Sequence, residues 1–278
     1  MYNEVEICIN TLKGSNMDKQ REIYKEDFTE YLLCLALDVG EGMLKNGAEV
    51  GRVEDTIERI CTAYGAAHVE VFTIISVINA AVRMPDGSYS MQLRRVKSID
   101  SNFSILEKLN ALSRKICAEK PELSVFDDEI HKIKNEKAYP TWVPFVASSV
   151  AAGGFALFFG GNIFDAIVAL IIGGIIALVE NFSPKRLTGL AKTVVSSFVA
   201  AILAGLSVKL GIGANDDMIM MGTIMLLVPG IAFGTAMRDL LCGDLIAGTL
   251  KTLQAILSAL MIAFGYTLAV FLLGGATL

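Results

Sequence analysis

The chain has 278 residues, a formal net charge of −5, 53% hydrophobic residues and a mean hydropathy of +0.54. That hydropathy excludes an ordinary soluble domain throughout, and the acidic balance argues against a nucleic-acid partner. The charge is unevenly placed. Beyond residue 141 the bases are Lys185, Arg186, Lys192, Lys209, Arg238 and Lys251, and the acids are Asp165, Glu180, Asp216, Asp217, Asp239 and Asp244, which leaves 18 basic and 23 acidic residues before it.

In chain order, residues 1–27 read as a disordered extension. No secretory leader is expected there, because the stretch is acidic and its apolar run is only Val5 to Ile9. A helix is predicted over 28–46, from the spacing of Leu32, Leu35, Ala36, Val39 and Met43, with Asn46-Gly47 as its left-handed cap. A second helix over 48–64 buries Val50, Val53, Ile57, Ile60 and Cys61. Residues 68–84 turn β-branched, Pro85-Asp86-Gly87-Ser88 has turn chemistry, and a further strand follows over 89–96, which together predict a small antiparallel meander. Helical spacing returns over 101–117, and Pro121 is expected to open a last helix as its first residue. The fold class is therefore an α+β domain over 28–138, expected in the cytoplasm, followed by an all-α polytopic membrane domain over 139–278.

That second domain contains about five apolar stretches of spanning length: 142–160, 163–179, 193–210, 218–237 and 252–273. A helix crossing the hydrocarbon core needs about 20 mostly apolar residues, and each central charge costs several kcal/mol. Lys132, Lys134 and Lys137 precede the first stretch; Lys185, Arg186 and Lys192 lie between the second and third, and Arg238 and Lys251 between the fourth and fifth. The opposite loops hold only Lys209. This asymmetry predicts the plasma membrane as location, with the N-terminal domain inside and the C-terminus outside. Gly153-Gly154, Gly160-Gly161 and Gly173-Gly174 allow helices to approach closely.

Cys8, Cys34, Cys61, Cys117 and Cys242 are scattered without a CxxC pair, and His68 and His131 lack a ligand-spaced partner. No metal site and no cofactor are expected. Glu54, Asp55 and Glu58 share one helix but lack a completing His or Cys, so a solvated face is the reading, and the domain is not read as an enzyme. Arg94, Arg95 and Lys97 form a small patch for lipid headgroups or a companion subunit. Glu180 and Asp165 bracket the second span, either as interfacial charges or as a proton relay.

The fourth span carries Pro229 near its middle with Gly230 directly after, which predicts released carbonyls around Met225 and Leu226. Such breaks occur at membrane depth only where protein or a wet cavity satisfies the backbone, and discontinuous helices bind substrates and ions in transporters. A packed proline kink, with Gly230 and Gly234 as a contact surface, is the alternative. Arg238, Asp239 and Asp244 follow. They read either as a translocation-stopping loop or as a carboxylate-binding Arg beside proton-exchanging acids.

Three segments carry a family likeness: EGMLKNGAEVGRVEDTIERICTAYG (41–65), YPTWVPFVASSVAAGGFALFFGGNIFDA (139–166) and VPGIAFGTAMRDLLCGD (228–244). In order, they resemble the threonine/serine exporter family, specifically the larger half with a hydrophilic N-terminal domain and about five spans. The resemblance covers roughly 28–278. It implies a secondary exporter subunit, proton-coupled, that works with a short companion membrane subunit and carries threonine, serine or dicarboxylates such as succinate. The candidates for the substrate and ion pathway are thus Pro229 and Gly230 from the break, Arg238, Asp239, Asp244 and Glu180 from their charge, and Thr235 from the motif of the resemblance. One departure is Thr235, where the family often carries Asn. The competing reading is a membrane-anchored cytoplasmic enzyme or regulator, although five spans with a broken helix are more than an anchor needs.

Overall fold

The computed structural model describes residues 28–97, 102–136, 140, 142–182 and 189–273. The extension over 1–27 and the expectations resting on Ser101, Lys137, Tyr139, Lys185 and Arg186 lie outside them. The chain forms two compact units: residues before 139 together with Thr235–Leu250, and Tyr139–Gly234 together with Lys251–Leu278.

In the first unit, α1 (Phe28–Lys45) is buried on nearly every side, with Leu32, Leu33, Leu35, Leu37 and Val39 fully enclosed. A helix apolar all round belongs at the centre of a domain. It ends as its sequence requires. Gly47 takes φ 90°, Gly47 N–H donates to Leu44 and Ala48 N–H to Met43 at 3.0 Å, so the last carbonyls are satisfied. Helix α2 (Val50–Ala63) lays Val53, Ile57 and Ile60 against α1 at Gly40, where an added Cβ would come within 2.6 Å of Ile57 Cδ1.

Strands β1 (His68–Ile74), β2 (Val77–Arg83) and β3 (Tyr89–Arg95) make the antiparallel meander in the order β1-β2-β3, with Val71 opposite Ala80 and Ala81 opposite Met91. Ile78, Ala80 and Val82 of the central strand join the helical core. The other face carries Phe72, Tyr89, Met91 and Leu93, each more than half exposed. Helix α3 (Phe103–Glu119) is capped by Asn102, whose side chain accepts from Ile105 N–H, and α4 (Leu123–Asn135) buries Leu123, Phe126 and Ile130.

Pro121 does not open α4. Lys120 adopts φ 48° and reverses the chain, Glu122 is the cap, and the Pro121 carbonyl accepts the Tyr64 hydroxyl at 2.7 Å. The proline is used in the turn, where its missing N–H costs nothing.

The second unit is helical. Helices α6 (Ile163–Phe182), α7 (Gly189–Lys209) and α10 (Leu245–Leu272, which begins in the first unit) are long and apolar enough to cross a membrane, and α5 (Trp142–Phe158) is a shorter apolar helix. The core is built from small residues, Ala152, Ala156, Ala200, Ala201 and Ala204, all buried. Between helices in lipid no hydrophobic force acts, and close backbone approach supplies the attraction. At Gly173 an added Cβ would lie 2.7 Å from both Ala152 Cβ and the Ser148 carbonyl, so α5 and α6 meet almost backbone to backbone.

The fourth predicted span is not one helix. It is α8 (Asp216–Ile224), a non-helical stretch over 225–229, and α9 (Gly230–Cys242). The fifth helix also begins earlier than its apolar run, at Leu245.

Candidate functional site

At the break, Pro229 has no N–H for the Met225 carbonyl. The Gly230 N–H, which a continuous helix would aim at Leu226, donates instead to Val228 at 2.8 Å, and helical bonding resumes with Phe233 N–H to Pro229 at 2.9 Å. Thr223 Oγ donates to the Ile219 or Met220 carbonyl at 3.0 Å, further loosening the last turn of α8. Beside the break lies a mostly apolar cavity of about 350 Å³, between Met220, Ile224 and Val228 on one side and Ile262 and Tyr266 of α10 on the other, with Asp217 at its rim. Gly230 and Gly234 have nothing within 4 Å of an added Cβ, so they make no helix contact among the described residues.

Within the first unit, the segment Thr235–Leu250 meets the start of α2. That start has no acid in its first turn and its cap, Glu49, makes no side-chain cap bond. Carboxylates arrive from the distant segment instead. Buried Asp239 accepts a hydrogen bond from Val50 N–H at 3.3 Å, and the Asp244 carboxylate lies against Gly51, where an added Cβ would stand 3.2 Å from its Oδ2. Negative charge at a helix start is stabilising because the first N–H groups lack partners there. Arg238 completes the exchange by pairing with Glu49 at 2.9 Å. The segment holds its own shape through Gly243 at φ 99°, with Asp244 N–H donating to the Asp239 carbonyl at 2.9 Å, and Ala247 enters the first unit's core.

Glu54, one turn further along α2, accepts from Thr73 N–H at 2.6 Å. Burial, with the Asp244 charge adding, raises its carboxyl above the ordinary range against the lowering effect of Thr73. It is therefore not part of a freely solvated acidic face, unlike Asp55, which pairs with Arg59 at 2.7 Å on the surface. Burial pushes the Cys61 thiol up to about 12 and raises Cys117 as well, so neither offers a ready thiolate.

Residues 34–273 match the family described as "Putative threonine/serine exporter" (ThrE). The chain belongs to the threonine/serine exporter family. Among curated proteins, one from Mycobacterium tuberculosis named "Probable threonine/serine exporter" is 23% identical over 221 residues, covering 77% of this chain and 41% of that protein. The chain thus spans about two-fifths of the relative's length. No solved structure matches. With its membrane-length apolar helices, this member of a transporter family is a multi-pass membrane protein.

In this ThrE chain the candidates fall in three places. Pro229 and Gly230 stand at the break. Thr235, Arg238, Asp239 and Asp244 belong to the unit of α2, and Glu180 lies exposed near the end of α6, where the Lys192 charge acts on it. Asp165 closes a reciprocal cap with Asn162 and accepts from Ala214 and Asn215 N–H at 2.7 and 3.1 Å, a structural use of a buried carboxylate. Sequence reading missed Glu49, Val50 and Gly51 as partners of the Arg-Asp segment. The missing acid in the first turn of α2 was the available signal.

Proposed function

We propose that this protein is the substrate-translocating part of a secondary exporter for small polar carboxylates, threonine and serine first and dicarboxylates such as succinate second. The observation that carries the reading is the interrupted fourth span with a cavity alongside it. Carbonyls freed over 225–229 can coordinate an ammonium group or an ion, which an intact helix cannot do. In this reading Pro229 and Gly230 line the path. Arg238, Asp239 and Asp244 hold the segment that joins α9 to α10 against the start of α2, while the exposed part of the Arg238 guanidinium remains available to a carboxylate. Thr235 stands one turn before Arg238, and Glu180 is the candidate for proton exchange. Coupling to protons and outward direction rest on family likeness.

Loop charge supports an orientation with the α+β domain in the cytoplasm of a plasma-membrane protein and the C-terminus outside. The M. tuberculosis relative carries more than half its length outside the matched region. A short companion membrane subunit is part of this reading, and family likeness alone supports it.

The test is efflux of labelled threonine, serine and succinate from preloaded cells expressing this chain alone and with a candidate companion. Efflux of one solute above vector controls supports the reading and identifies the substrate. Absence of efflux for all three, with both proteins verified in the membrane, removes these substrates and shifts weight to an anchored regulatory domain.

A further inference from the structure

A second cavity, of about 510 Å³, lies in the first unit between α2 and α3. Its walls carry Arg52, Arg59 and Arg114, with Asn110 and Ser113 between them and a single acid, Asp55. The charge is out of keeping with the chain, whose net balance is −5. Arg59 uses its Nε on Asp55 at 2.7 Å, which leaves its terminal nitrogens free of that bond. Arg52 is held across the groove by a neutral group, its Nη2 donating to Asn110 Oδ1 at 3.1 Å. Asn110 is fixed in turn, donating through Nδ2 to the Leu106 carbonyl at 2.9 Å. Neither Arg52 nor Arg114 has a carboxylate partner among the described residues.

We propose that this groove binds a small multivalent anion bearing phosphate or carboxylate groups. Guanidinium forks match both groups bidentately, and two uncompensated forks facing one groove favour a ligand with at least two anionic centres. The volume suits a small metabolite, more than a single inorganic ion requires. No aromatic side chain lines it, so nothing is present for a nucleobase to stack on. Arg52, pre-positioned by Asn110, needs little ordering on binding, which lowers the entropic cost. The site is separate from the broken span and stands or falls without it.

The experiment is calorimetric titration of the full chain in phosphatidylcholine nanodiscs with inorganic pyrophosphate and, separately, citrate. Saturable binding of one or both, weakened by added salt, is expected. The double variant Arg52→Gln/Arg114→Gln is expected to weaken it about tenfold or more, because both uncompensated guanidinium forks are lost. Arg114→Lys is expected to fall between, because an ammonium lacks the fork. Pyrophosphate binding without citrate assigns a phosphate ligand, and the reverse a polycarboxylate. No saturable binding of either anion overturns the proposal, as does a double variant that binds like wild type. Should the double variant aggregate, Asn110→Asp gives the same readout: it neutralises Arg52 in place and must weaken binding. Transport is not measured, so a negative result leaves the proposed export untouched.

Discussion

Asp239 caps a helix that begins 189 residues earlier in the chain, its Oδ1 accepting the N–H of Val50 at 3.3 Å. The bond joins two of the segments that carry the family likeness, 41–65 and 228–244. Both partners are buried, so the carboxylate replaces water that the helix start could not otherwise reach. The aspartate therefore has a structural duty that must be separated from any role in transport.

Asp239→Ala is expected to destabilise the first unit by about 1–2 kcal/mol, the cost of a lost cap plus a stranded N–H. Amide hydrogen exchange over 49–53 should accelerate while the β meander stays protected. Arg238→Ala, at a pair whose arginine is exposed and whose Glu49 is partly buried, should cost about 1 kcal/mol or less. Unchanged exchange over 49–53 in Asp239→Ala would show that the cap is not formed in solution.

Gly243 turns the chain between α9 and α10 at φ 99°, a backbone angle that a side chain resists. Gly243→Ala should cost about 1 kcal/mol and loosen the Asp244-to-Asp239 backbone bond that shapes the segment. Limited proteolysis of the full chain should show new cutting over 240–246. A variant as resistant as wild type would mean the turn tolerates another geometry.

Glu54 gives a pH signature. Its carboxyl is raised from 4.5 by burial first and by the Asp244 charge next, with the Thr73 bond opposing. The folded state then binds the proton more tightly than the unfolded one, so stability falls as pH climbs from 4.5 through the raised folded value and levels off above it. Glu54→Gln keeps an acceptor for Thr73 and removes the slope. Thermal unfolding of the two proteins across that window should give curves that separate as pH rises, and parallel curves would count against the burial argument.

Much of the first unit was legible because its signals are local. Asn46-Gly47 ended α1, Pro85-Asp86-Gly87-Ser88 turned β2 into β3, and alternate burial of Ile78, Ala80 and Val82 follows from strand period. Pro229 likewise announced a break in its own span. What sequence could not show was where α9 goes. The docking of Asp239 and Asp244 on Val50 and Gly51 is a long-range pairing with no periodicity to betray it, and an Arg-Asp pair after an apolar run reads equally well as a loop in water. Glu54 misled for a similar reason: helix period placed it among acids, while a strand residue 19 positions on half-buries it and donates to its carboxylate.

The break itself can be repaired. Pro229→Ala restores an N–H that can bond to the Met225 carbonyl and removes the ring that keeps α8 and α9 apart. A helix continuous from 216 to 242 should be more stable, since propagation adds a bond for each residue fixed and Ala is the best helix former. It should also close the carbonyl path. We therefore expect Pro229→Ala to insert normally, to slow hydrogen exchange over 225–230, and to lower efflux at least about tenfold, corresponding to about 1.4 kcal/mol or more of lost transition-state stabilisation. Slowed exchange with wild-type efflux would show that the break forms but does not conduct, and would move the pathway elsewhere in the bundle.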